Sequence, residues 1–368
     1  MEAWYLRVPL GTPIRLGDMV IAERDFVVLR VRTAGGLDGV AYSLTRGAPL
    51  DLVLTETIGP RVLGREALDT RARADELRVS VRSLGAVGLI GRAISLVDIA
   101  LWDIAGQASG MPIWRMLGGA RHAAPVLLVA PYAAPDEPDE GYAERIAEVA
   151  GRGYRYVKLY PTADPDAMRR RLAAIRAATG PALRLVVDMA WSFGGVLDAI
   201  RAVRSWEAYE LTWVEDPYGA DEWAAIKTLA DAVQTPIAVG DEVSVRGTME
   251  RLIEERAVDV VRLDVTSIGG FAAYDALRGQ ADRAGLLVSP HAYGEIHQHC
   301  IFGWPGHGPV ELFPPDSPTW GAGRFLAHQL DAVGDSGLLE APSEPGLGLR
   351  LDHGAVERLA IRHTVTTR

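Results

Sequence analysis

Short apolar runs alternate with amphipathic stretches along most of the chain, and the rhythm changes near residue 120. Before that point the run from Phe26 to Arg32 alternates, breaks at Gly35-Gly36 and resumes from Gly39 to Tyr42, which reads as a β-hairpin. Helical periodicity follows, most clearly from Ala93 to Ile104. Strands followed by helices predict a small α+β unit over residues 1–120.

From about residue 125 the pattern becomes strand-like runs separated by helical segments. The runs fall at 156–159, 183–187, 211–214, 236–239, 258–263, 286–289 and 310–313. Asp164-Pro165 supplies an N-cap and a first-turn proline, and Gly180 closes the same helix. Repeated strand–helix units imply parallel strands with right-handed crossovers. Seven of them predict a closed (β/α) barrel within residues 121–335.

What ends each run carries the chemistry. The strands close on Asp188, Glu215, Asp241, Asp264, His291 and Glu311, at intervals of 27, 26, 23, 27 and 20 residues, with Lys158 near the end of an earlier strand. Each interval is about one strand, one helix and two loops. All seven side chains are therefore expected at the C-terminal mouth of one barrel. A single Asp after a strand is ordinarily a turn former or a helix cap. Seven ionisable ends in phase are not explained that way, because apolar strands carry them only when they are paired or coordinated.

Asp188, Glu215 and Asp241 make an oxygen-rich set that suits a hard divalent cation such as Mg2+. Zinc is disfavoured, since no His-x-x-x-His or Cys-x-x-Cys pair occurs. Glu242 competes with Asp241 as a ligand, but neighbouring strand residues point to opposite faces, and Asp241 is preferred. Asp264 and His291 end consecutive strands, so the carboxylate can fix the imidazole tautomer and leave the other nitrogen free as a base. Lys158 is expected as a fixed cation near a substrate carboxylate, and Glu311, protonated or paired, as a donor to a developing oxyanion.

Composition narrows the partners. The net charge of −10 argues against nucleic acid, which needs a basic face. A lone cysteine, Cys300, forms no internal disulfide, fits a reducing cytoplasm, and reads as a small buried hydrophobe. The N-terminus lacks a signal-peptide pattern, and no run reaches the length of a membrane span.

With these residues in view, the chain resembles the mandelate racemase-like subgroup of the enolase superfamily. The resemblance rests on Ser95 to Asp103 with Leu117-Gly118-Gly119, Trp213 to Pro217, Gly240-Asp241-Glu242, Asp264 to Gly270, the His291 segment and Val310-Glu311. It implies a modified TIM barrel with an α+β capping domain, and a C-terminal segment over 336–368 packing back on that cap. It also implies a magnesium-bound small-molecule carboxylate whose α-proton is removed to give an enediolate. The handed-over roles are metal ligation by Asp188, Glu215 and Asp241, acid/base work by His291 with Asp264, and substrate carboxylate contact by Glu311 and Lys158. Related enzymes are often symmetric homo-oligomers.

Two departures bear on the reaction. The family's Lys-x-Lys reads Lys158-Leu159-Tyr160 here, and Ala190 with Trp191 stands where many members have Asn two residues after the first ligand. A racemase needs an acid/base on each face, whereas a syn-dehydratase manages with one histidine. Tyr160 is then a neutral donor, a phenolate or a wall ring. The favoured reading is an acid-sugar dehydratase giving a 2-keto-3-deoxy acid. The alternatives are a racemase, epimerase or cycloisomerase, and a non-catalytic relative.

Further candidates are Arg15 and Arg46, in segments where capping loops would close over substrate, and Trp191 as a substrate contact. Glu295 is a candidate partner of the dyad. Asp98 and Asp103 are expected to tie cap to barrel, and His297 and His299, two apart on a helix, read as packing rather than a metal pair.

Overall fold

The computed structural model describes residues 1–16, 19–134, 137–162, 164–314, 317–331 and 336–367, with the side chains of residues 15, 16 and 19 outside the description. Thirteen strands occur among these residues. The cap opens with β1 (Glu2–Leu16), β2 (Met19–Arg32) and β3 (Asp38–Leu44). The barrel follows with β4 (Ala123–Val129), β5 (Tyr156–Leu159), β6 (Arg184–Asp188), β7 (Trp213–Glu215), β8 (Ile237–Val239), β9 (Val260–Val261), β10 (Leu287–Val288) and β11 (Val310–Leu312). Two strands, β12 (Leu338–Glu340) and β13 (Ala360–Val365), end the chain.

The cap sheet is antiparallel in the order β13-β1-β2-β3, and the barrel runs β10-β9-β8-β7-β6-β5-β4-β11 with parallel neighbours. Val288 bridges His307 in parallel, and the Gly308 N–H donates to the Val288 carbonyl at 2.8 Å, which closes the ring. The fold is a modified (β/α) barrel carrying an α+β cap, as expected. Sequence reasoning found seven barrel strands and missed β4, whose opening Ala123-Ala124-Pro125 lacks a strand-like pattern. Within the segment expected to return to the cap, β12 instead pairs with β4, and only β13 joins the cap sheet.

Strand parity builds the interior. Leu127, Val186, Trp213, Ala238 and Val260 form a small buried cluster inside the ring, with Tyr156 packed against it. Two residues further along, on the same face of their strands, stand Lys158, Asp188, Glu215, Gly240 and Arg262. An apolar floor therefore carries a charged layer. The opposite faces, including Val157, Leu185, Val187, Val214, Ile237 and Val261, pack outward in the main core.

Local chemistry explains the elements that aim the site. Asp164 accepts from the N–H groups of Asp166 and Ala167, both at 3.1 Å, and Pro165 starts the helix after β5. Gly240 has φ +141°, and a Cβ there would lie 2.1 Å from the Arg262 carbonyl oxygen. Only glycine lets the end of β8 approach β9 so closely, which delivers Asp241 to the mouth.

The buried helix Gly88–Ser109 joins cap to barrel. Asp98 accepts from the Phe271 N–H at 2.7 Å, while Asp103 accepts from Val40 at 3.0 Å and Leu347 at 2.9 Å. Asp98 thus links cap to barrel, and Asp103 links the helix to β3 and the C-terminal segment. Among the described residues no helix is long and apolar enough to cross a membrane.

Candidate active site

Asp188, Glu215 and Asp241 each offer a carboxylate oxygen within 4.8 Å of the others, a spacing that suits a shared cation. Lys158 Nζ sits among them, 2.8 Å from Glu215, 3.2 Å from Asp188 and 4.0 Å from Asp241, and 2.9 Å from Glu311. One ammonium does not balance this cluster. Burial and neighbouring carboxylates push the carboxyls of Asp188 and Asp241 up, although Lys158 opposes them. Burial also acts on Glu215, but Arg262 and Lys158 outweigh it and hold that carboxyl below its ordinary range. Asp241 Oδ1 is buried without a hydrogen-bond partner. A buried oxygen that accepts no hydrogen bond, beside two further carboxylates, fits a divalent ion with oxygen preference.

His291 stands beside this cluster. Its Nδ1 lies 3.4 Å from Asp264 Oδ2 and its Nε2 lies 3.4 Å from Asp241 Oδ2. Asp264 is fixed in turn, because its Oδ1 accepts from the Thr266 N–H and hydroxyl, both at 2.7 Å. Burial would raise this carboxyl, but hydrogen bonding to His291 and the nearby His297 leave it lowered. The carboxylate can therefore steady a proton on Nδ1 and leave Nε2 facing the cavity.

His297 does more than fill space. Its Nε2 accepts from the Val265 N–H at 2.9 Å, and its Nδ1 faces the Ala292 carbonyl at 2.7 Å. It clamps the segment after Asp264 to the segment after His291. His299 is buried, meets the Trp114 N–H and the Leu347 carbonyl, and burial pulls it down to about 4. Neither joins a metal pair. Cys300 is buried.

The mouth is a cavity lined by Lys158, Tyr160, Asp188, Asp241, His291 and Glu311, together with Arg46 and Trp191. Glu215 and Asp264 lie buried around it. Tyr160 stacks on Tyr132 with ring centroids 3.9 Å apart. Trp191 is half-exposed, and both Ala190 and Trp191 take left-handed backbone, at φ 45° and 59°. Arg46 lines the cavity, but its guanidinium pairs with Glu242, which also meets Arg92 at 2.6 Å. Glu242 faces these cap arginines, and Asp241 faces the carboxylates of Asp188 and Glu215. Glu311 is paired rather than protonated, because Lys158 and Arg262 overcome burial and lower its carboxyl. Glu295, considered for the dyad, instead accepts from the Tyr42 hydroxyl at 2.7 Å. The side chain of Arg15 lies outside the described residues.

Sequence reasoning missed Arg262. Its side chain is fully buried in the barrel, with Nε 3.2 Å from Glu215 and 3.4 Å from Asp241, and Nη2 paired with Glu311. Nη1 donates to the carbonyls of Ser289 and Pro290 at 3.0 Å, just before His291. The signal was an arginine inside the run Val260-Val261-Arg262-Leu263, two residues before Asp264 and so on the same face. Arg24 was missed as well. It lines the cavity from β2, and nothing in its strand sets it apart from an exposed arginine.

Residues 141–355 match the model described as enolase C-terminal domain-like, and residues 2–118 match the mandelate racemase / muconate lactonizing enzyme N-terminal domain. The chain belongs to the mandelate racemase/muconate lactonizing enzyme family. Among similar proteins of this family is the 3,6-anhydro-alpha-L-galactonate cycloisomerase of Streptomyces coelicolor, 26% identical over 96% of this chain and 97% of the relative. The L-talarate/galactarate dehydratase of Salmonella typhimurium is 27% identical over 81% of this chain and 77% of its own. A crystal structure of L-talarate dehydratase from Polaromonas sp. JS666, complexed with Mg and L-glucarate, superposes with a TM-score of 0.89 at 26% identity, covering 100% of this chain and 98% of that one. The family thus spans lyases and isomerases, and the residues of each member must decide between them.

Proposed function

We propose that this protein removes the proton α to a substrate carboxylate in a magnesium-dependent reaction, and that the net reaction is dehydration of an acid sugar to a 2-keto-3-deoxy acid. The dehydratases among its relatives support the reaction type, and the three-carboxylate cluster supports the metal. Asp188, Glu215 and Asp241 would hold the ion. When bound, magnesium supplies the concentrated positive charge that makes such a weakly acidic proton removable at neutral pH.

The chain's own residues divide the remaining work. Lys158 places a buried ammonium where the substrate carboxylate gains charge as the proton leaves. His291 Nε2 takes the α-proton, and Asp264 stabilises the imidazolium that forms, without itself becoming protonated. The same imidazolium then protonates the departing β-hydroxyl, so one histidine serves both halves of a syn elimination. The buried surroundings of the cluster keep water from competing for these charges.

The observation that carries dehydration over racemisation is the asymmetry of the two sides. His291 follows β10, and three strands round the ring β5 leads to Tyr160, whose phenol burial pushes up to about 12. A phenol so raised is a hydrogen-bond donor and not a base at neutral pH. Incubation with magnesium and a panel of aldonic and aldaric acids tests the proposal. Keto-acid formation supports it. Deuterium exchange at the α-carbon with full recovery of substrate or its epimer would favour the isomerase reading.

A further inference from the structure

We propose that Arg24 forms a second anion subsite at the cap side of the cavity, and that the substrate is a dicarboxylate whose far carboxylate docks there. The inference rests on the proton-abstraction reading above, and it specifies the substrate class.

Arg24 lies on β2 with 7% of its surface exposed, and it lines the same cavity as Lys158, Asp188 and His291. Its Nε–H donates to the Thr319 carbonyl at 2.7 Å, and its guanidinium carbon lies 5.6 Å from the Trp320 ring centroid. These contacts hold the group in place. They do not neutralise it, because a carbonyl and an aromatic face carry no net charge. Among the described residues no carboxylate lies within 4.0 Å of Arg24.

The other cations of the site are all matched. Arg46 and Arg92 both pair with Glu242, Arg262 pairs with Glu311, and Lys158 meets four carboxylates. Among the described residues, Arg24 alone of the cationic side chains at this cavity faces it without a carboxylate partner. A buried guanidinium is expensive to leave unpaired, and its flat fork matches a carboxylate bidentately. The Lys158 cluster already marks the place of the α-carboxylate, so a second anionic group on the substrate satisfies Arg24. Tyr132 and Tyr160 line the same cavity and offer hydroxyls to a polyhydroxylated chain.

A purely structural role is the competing explanation, with Arg24 pinning β2 to the segment that carries Thr319 and Trp320. Binding by a matched pair of acids separates the two. The His291→Asn variant, loaded with magnesium, is titrated calorimetrically with an aldaric acid and with the aldonic acid of the same configuration. The aldarate is expected to bind about 100-fold more tightly, the usual scale for one buried charge pair. Arg24→Met added to this background should erase the difference and leave aldonate affinity within about threefold, since only one carboxylate is lost.

Arg24→Lys, which keeps the charge and loses the fork, should retain part of the preference, and it decides the matter if the Met variant does not fold. Equal binding of the two acids, or an equal loss for both in the variants, would overturn the subsite. Absence of α-proton exchange with every acid in the wild-type protein would instead strike the underlying reading.

Discussion

The rings of Tyr132 and Tyr160 stack with centroids 3.9 Å apart and planes 19° from parallel. Tyr160 thus occupies the second lysine position of the family pattern as one half of a half-buried aromatic pair at the cavity wall. Burial raises its phenol to about 12, against the pull of Lys158. Tyr160→Phe keeps the stack and loses only the hydroxyl. It is expected to lower kcat/KM by no more than about tenfold, the scale of one neutral hydrogen bond, with the stereochemistry of exchange unchanged. Selective loss of exchange from one face, read by proton NMR in deuterated water, would assign Tyr160 as a second acid/base.

Arg262 joins Glu215, Asp241 and Glu311 on one side to the Ser289 and Pro290 carbonyls on the other. Arg262→Met should destabilise the metal-free protein by about 3–5 kcal/mol, because it leaves buried carboxylates uncompensated. Magnesium would restore part of that charge. Its stabilising effect, measured as the shift in Tm, is expected to be larger in the variant than in the wild type. An equal shift in both would mean that Arg262 and the metal do not share the same carboxylates.

Ala190 holds left-handed backbone at φ 45° directly after the first ligand segment. The Asn common at this place in the family tolerates that conformation, whereas Ala pays a steric cost. Ala190→Gly should therefore stabilise the fold by about 1 kcal/mol, since relief of that cost exceeds glycine's entropic penalty. Thermal melts check it. A lower Tm would show that the backbone is not strained there.

Asp98 is buried between cap and barrel, and burial pushes its carboxyl up to about 7 while the Phe271 N–H pulls it down. A folded-state value above the unfolded one means the native protein binds the proton more tightly. This contribution to stability is complete below the unfolded carboxylate range and is lost as pH rises through about 7. Asp98→Asn mimics the protonated form. Its Tm relative to wild type should be highest near pH 8, and the gap should close towards pH 4. A gap independent of pH would place the charge elsewhere.

The site was legible in the sequence where it repeated with the fold. Asp188, Glu215, Asp241, Asp264, His291 and Glu311 recur at or near the ends of the apolar runs, so one period exposes them together. Arg262 and Arg24 lie inside strands, where periodicity gives a face but not a partner. β1 contains Pro9 and Pro13, which mask its strand character, and Pro125 does the same for β4. Arg46 read as a candidate substrate contact on a capping loop, and its partner Glu242 lies 196 residues away in sequence. Pairing across that distance is a property of the folded chain, and no local pattern records it.

Proton removal by His291 is tested most directly by deuterium incorporation at the α-carbon of an acid sugar, followed by NMR with magnesium, in wild type and in His291→Asn. The wild-type protein should incorporate deuterium or release keto acid, and the variant should lose both by at least about 1,000-fold, as expected when the general base itself is removed. Exchange that persists in the variant at the wild-type rate would show that another group takes the proton.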